Sequence, residues 1–165
     1  MLRKKFSPPA SPPRSSGSRR ASDRLPLPKE ELSRLALRYH FALRWLDVDE
    51  GKLEHFVLLA QHLVVARSLG KLGCFRIPEN TLHEADIAIS TWANKGLQTG
   101  EFRVDQTAFS AIQTFLLAHD EQLLTASRAA VSVALADLEE LRQRKTPDNT
   151  RRLTPMPATP AVRPK

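Results

Sequence analysis

The chain has 165 residues, 41% of them hydrophobic, with one cysteine and a formal charge of +7 at pH 7. This length suits a single domain, lone Cys74 excludes an internal disulfide and a cysteine-built zinc site, and the apolar runs fall well short of a membrane span. The charge is divided unevenly: residues 1–28 hold seven Lys or Arg against one acid, residues 142–165 hold seven against one, and the stretch between holds 11 bases and 16 acids. Eleven of the twelve prolines also fall in the two ends, and only Pro78 lies between them.

Residues 1–28 therefore read as a disordered basic tail. They offer little apolar surface to offset the ordering cost of about 1–2 kcal/mol per residue, and Pro8-Pro9 and Pro12-Pro13 exclude helix. Residues 145–165, with Pro147, Pro155, Pro157, Pro160 and Pro164, read the same way. The apolar run of a secretory signal does not follow Arg3-Lys4-Lys5. With the single cysteine, this leads to a cytoplasmic expectation.

Residues 29–144 form the expected folded domain, an acidic all-α unit built as a single bundle of four to five helices. The first helix is expected over Lys29–Leu46, with Glu30 and Glu31 at the positive end of its dipole and Leu32, Leu35, Tyr39, Leu43 and Leu46 as the buried stripe. Asp49 is expected to cap a second, Glu50–Leu69, ended by Gly70 and burying Leu53, Phe56/Val57, Ala60 and Leu63/Val64. Pro78 opens a third, Glu79–Lys95, closed by Gly96, with Leu82, Ala85, Ile89 and Trp92 inward. A fourth begins near Asp105 and carries Phe109, Ile112, Leu116, His119 and Leu123 on one face. A break at Thr125–Ser127, where a hydroxyl can cap, starts a fifth from Arg128 to Arg144, because an unbroken 40-residue helix would leave its outer half unpacked.

The connections contain a short repeat. Gly73-Cys74-Phe75-Arg76-Ile77-Pro78 and Gly100-Glu101-Phe102-Arg103-Val104-Asp105 share the form Gly-x-Phe-Arg-aliphatic before a helix start. Phe75 and Phe102 are expected to plug the ends of the bundle, or the loops to pair as a scrap of sheet.

The patterns that carry chemistry are missing. His55 and His62 share a helical face, but neither the Glu-x-x-His pair of a di-iron bundle nor His-Glu-x-x-His is present. Gly70-Lys71-Leu72-Gly73 lacks the spacing of a phosphate loop. Neither a metal nor a cofactor is expected, and the chain reads as no enzyme. His119 interrupts an apolar stripe, so it is expected to be a buried structural histidine bonded to a neighbouring helix. Nucleic acid could meet only the basic ends, through weak, nonspecific phosphate contacts from Arg3, Lys4, Lys5, Arg19, Arg20, Arg142, Arg144, Lys145, Arg151 and Arg152.

The segment Leu116-Leu117-Ala118-His119-Asp120-Glu121-Gln122-Leu123, with Glu101-Phe102-Arg103-Val104-Asp105 upstream, resembles small uncharacterised helical proteins of β-proteobacteria, over about residues 100–143. Some are carried on mobile elements and some are labelled Fis-like transcriptional regulators. The resemblance implies a small helical regulator, although no Fis-like DNA-binding helix pair is legible here. Together these observations predict a non-enzymatic interaction or regulatory module that docks a partner protein. The alternative is an accessory nucleic-acid-binding or transcription-regulatory protein acting through its basic tails.

Overall fold

The computed structural model describes residues 23–145, which form five α-helices: α1 (Lys29–Asp47), α2 (Leu53–Lys71), α3 (Glu79–Thr99), α4 (Gln106–Thr125) and α5 (Arg128–Lys145). Among the described residues no helix is long and apolar enough to cross a membrane. The candidate contacts Arg3, Lys4, Lys5, Arg19, Arg20, Arg151 and Arg152 lie outside the described residues, as does most of each basic end.

Helices α1 to α4 close into a ring in which α1 packs on α2 and α4, and α3 packs on α2 and α4. Helix α5 lies outside the ring against α2. α2 is thus the axial element, touching every other helix. It buries Phe56, Leu59, Leu63, Val65, Ala66 and Leu69, which spread over about half of its circumference, as expected of a helix packed on more than one side. This corrects the single stripe expected for it. Val57, assigned to that stripe, is exposed.

The ends of the helices correct the sequence reading in three places. Asp49 does not cap α2; it occupies the turn after α1 at φ 65, and α2 starts three residues later than expected. Gly70 and Gly96 do not terminate their helices. Termination falls instead at Gly73 and Gly100, with φ of 82 and 79, the left-handed conformation that glycine enters without a Cβ clash. The start of α4 and the break before α5 lie where the sequence placed them. Asp105 accepts the Ala108 N–H at 2.7 Å, and the Ser127 hydroxyl accepts that of Ala130 at 3.2 Å.

The repeat works through its aliphatic residues. Ile77 and Val104 are 2% and 4% exposed, whereas Phe75 is 44% exposed. Phe75 therefore does not plug the bundle, because its loop leaves the C-terminus of α2 with the ring turned outward. Phe102 is half-buried against Gly96, where an added Cβ would stand 2.3 Å from its Cδ1, and its ring centroid is 6.4 Å from that of Phe56. The loops do not pair as strands; the isolated bridge in the described residues joins Pro26 to Ser127.

That bridge belongs to a strap that the tail assignment of residues 1–28 missed. The Leu25 carbonyl accepts the Arg128 N–H at 2.9 Å and the Asp23 carbonyl accepts that of Ala129 at 3.0 Å, so the strap satisfies two of the donors left open at the start of α5.

Two outcomes follow from this packing. Phe102→Ala should cost about 3 kcal/mol, toward the low end for a buried aromatic, while Phe75→Ala should stay within about 0.5 kcal/mol of the parent, both read by urea denaturation. A chain of residues 29–145 should be less stable than one of residues 23–145 by about 1–3 kcal/mol, and equal midpoints would show that the strap contributes nothing.

Candidate functional site

The most organised cluster of polar side chains lies between α1, α2 and α4. It is built by Tyr39 and His40 of α1, His62 of α2, and His119, Asp120 and Gln122 of α4. His119 and Gln122 are fully buried because they occupy one face of α4, three residues apart, in line with Ile112, Leu116 and Leu123. Tyr39 is buried as a member of the inner stripe of α1.

The hydrogen bonds have a direction that can be derived. The Gln122 amide nitrogen donates to two backbone carbonyls, Ala66 at 3.1 Å and Phe75 at 2.7 Å, which leaves Oε1 as the acceptor. His119 Nδ1, 3.1 Å from that oxygen, must therefore carry a proton. The neutral ring then has a bare Nε2, and His62 Nδ1, 3.3 Å away, must donate to it. Both imidazoles are fixed as Nδ1–H tautomers by one amide. The rings pack around this line: Phe115 stacks on His119 with centroids 5.8 Å apart, and Tyr39 meets His62 edge-on at 4.5 Å.

At the rim, Asp120 accepts the Tyr39 hydroxyl and lies 2.9 Å from His40 Nε2. A cleft of about 150 Å³, lined by Leu32, Ser33, Ala36, Tyr39, Asp120, Leu123 and Leu124, opens beside this carboxylate. Burial pushes the His119 ring down to about 4, against the opposing effects of the Gln122 bond and the Asp120 charge. His62 is pushed down to about 3, first by burial and then by His119 and Arg38. The Tyr39 phenol is raised, by burial first and then by the bond to Asp120 and its charge.

This arrangement links six side chains and holds the imidazoles of His62 and His119 neutral. Among the described residues no buried side-chain donor or acceptor lacks a partner, so the cluster is internally satisfied. No group of three His, Cys, Asp or Glu converges there as a metal would require. Sequence reasoning singled out His119 but not Gln122, whose role was signalled only by its position three residues on. Asp120, one residue after His119, turns its carboxylate to α1, onto Tyr39 and His40.

The surface carries a second feature that the sequence reading passed over. Leu37, Phe41, Trp45 and Val48 are 54%, 57%, 43% and 41% exposed. At 100° per residue they lie within about 80° of one another and roughly opposite Tyr39, Leu43 and Leu46. α1 is therefore apolar on two faces and only one meets the core. Arg38 and Arg44 flank the outer face, and Arg34 lies in line with it one turn before Leu37. Arg34 pairs with Glu30 at 3.1 Å and Arg44 with Asp47.

The described candidate nucleic-acid contacts lie at the end of α5. Arg142 is 3.4 Å from Glu139, Arg144 is 2.6 Å from Glu140, and Lys145 is the final residue of the helix. The two arginines are thus set in a mixed surface with acids one turn away.

The fold and the cluster define a five-helix, all-α bundle with a buried histidine–glutamine core. No family model, curated protein or solved structure matches the chain.

The cluster sets the pH response. The folded rings of His62 and His119 titrate below the ordinary value of about 6.5, so the unfolded chain binds their protons more readily. Their contribution is complete above about pH 6.5 and is lost as pH falls toward 3–4, with each ring adding a slope of up to about 1.4 kcal/mol per pH unit. His119→Gln should flatten the stability profile between pH 6.5 and 4 and cost less at pH 7 than His119→Ala. A ring titrating at or above 6.5 by NMR would contradict both expectations.

Proposed function

We propose that this protein is a non-enzymatic interaction module that docks an amphipathic helix of a partner protein along the outer face of α1. The observation that carries the reading is the stripe Leu37, Phe41, Trp45 and Val48, because two aromatic and two aliphatic side chains aligned on one exposed face cost solubility unless something covers them. The stripe runs about 16 Å along the axis at 1.5 Å per residue and is one helix face wide, which fits a single helix packed alongside it. The ordered arginines on its edges favour a partner whose apolar face is flanked by acids. Exposed pairs such as Arg34–Glu30 contribute little and can exchange partners at small cost.

The polar cluster supports this reading by stiffening the frame. It fixes α1 against α4 through Tyr39–Asp120 and His40–Asp120, so the stripe is presented on a helix held at two points on its inner side.

A second reading, nucleic-acid binding through the basic ends, is carried by the seven-to-one excess of bases in residues 1–28 and 142–165. Salt separates the two. Phosphate-backbone binding falls steeply between about 50 and 200 mM salt, while a packed apolar interface changes little.

The test places a photoreactive phenylalanine analogue at position 41, identifies what it captures, and measures the purified pair. Phe41→Asp should weaken binding by about 30-fold or more, as for a central aromatic anchor, with the melting temperature within about 2 °C of the parent, because the side chain lies outside the core. Undiminished binding by Phe41→Asp would overturn the reading. Capture of the chain by itself would replace the partner helix with a second copy.

A further inference from the structure

The two Gly-x-Phe-Arg-aliphatic loops occupy opposite ends of α3 and share one geometry, with the glycine left-handed, the arginine exposed and the aliphatic residue buried. The arginine and the aliphatic residue of each loop line a cleft. In the cleft of the second loop, about 510 Å³, Arg103 and Lys95 are outnumbered by Asp47, Glu101 and Asp105. In the cleft of the first, about 430 Å³, Arg76 is joined by Arg67 and Lys71 against Glu79 alone. The same loop thus builds two clefts of opposite net charge, and the basic one inverts the sign of residues 29–141, in which acids outnumber bases 16 to 11.

The basic cleft has the parts of an anion site. Arg67 is anchored by Asp86 at 2.9 Å, which fixes its guanidinium. Lys71 and Arg76 have no ion-pair partner among the described residues, so their charge is free to act on the cleft. A concave surface with one sign of charge concentrates ions of the other. Arginine forks match the oxygens of a phosphate, and the first turn of α3 adds the positive end of a helix dipole beside them. Ala66, Ile77 and Leu82 close the bottom of the cleft and are only 1%, 2% and 5% exposed, so the open surface of the cleft is set by its cations. The volume is within the range of small-molecule sites, about 300–1,000 Å³.

We propose that this cleft binds a small phosphate-bearing ligand, with its phosphate between Lys71 and Arg76. The site lies on α2 and α3, away from the outer face of α1, so it stands whether or not that face docks a helix. Its floor shares Ala66 with the buried cluster, since the carbonyl of that residue accepts from Gln122.

The experiment is an NMR titration of the full chain at constant ionic strength with inorganic phosphate, phenyl phosphate and phenol. Inorganic phosphate and phenyl phosphate should both give saturable shifts of the Ile77, Asn80 and Thr81 amides. Phenol should give none. Lys71→Ala with Arg76→Ala should raise the half-saturating concentration about ten-fold or more, with an unchanged melting temperature because both side chains are exposed. Arg103→Ala, in the acidic cleft of the same geometry, should leave the titration unaltered. Absence of saturable shifts, equal binding by the doubly substituted chain, or an equal loss in Arg103→Ala would overturn the proposal.

Discussion

The side-chain amide of Gln122 is the interaction on which the rest of this bundle depends. It reaches from α4 to the carbonyl of Ala66 on α2 and to that of Phe75 in the following loop, while its oxygen receives His119. A buried amide left without partners would cost on the order of 1–3 kcal/mol for each unmet group, so two helices and a loop are held in one relative position. The consequence extends outward. The tautomer of His119 fixes that of His62, and the imidazole pair fills the space between α1, α2 and α4 with groups that an apolar core would not orient.

The helices were legible in the sequence wherever one face is apolar and the other polar. α4 could be read from Asp105 to the break at Thr125–Ser127, because its cap, its stripe and its hydroxyl stop agree. α2 could not be read as well. Its residues are apolar in several directions because it is the axis of the bundle, and a single stripe drawn on it omits Leu59, Val65 and Leu69. The glycines misled for a different reason. A glycine inside a helix costs about 1 kcal/mol, a penalty that tertiary packing offsets at Gly96 by admitting the Phe102 ring. The true stops, Gly73 and Gly100, were marked by the repeat itself, since each begins one copy.

The candidate site was legible only in part. His119 stood out as a polar residue in an apolar line, but Gln122 passes for an ordinary edge residue until two carbonyls from distant parts of the chain are brought to it. The outer stripe of α1 was hidden by the inner one. Once Leu32, Leu35, Tyr39, Leu43 and Leu46 are assigned to the core, Leu37, Phe41, Trp45 and Val48 look like noise, although their spacing is as regular. In the loops, aromatic size drew attention to Phe75, whereas the smaller Ile77 is the residue that is buried.

The strap from Asp23 to Pro26 also determines where the two basic ends depart. It fastens the entering chain beside Arg128 and Ala129, at the start of α5, and the described chain leaves at Lys145, at the other end of the same helix. Eighteen residues separate these points, or about 27 Å of rigid rod. α5 therefore acts as a rigid spacer, and its length sets the separation between the points where the described chain enters and leaves it.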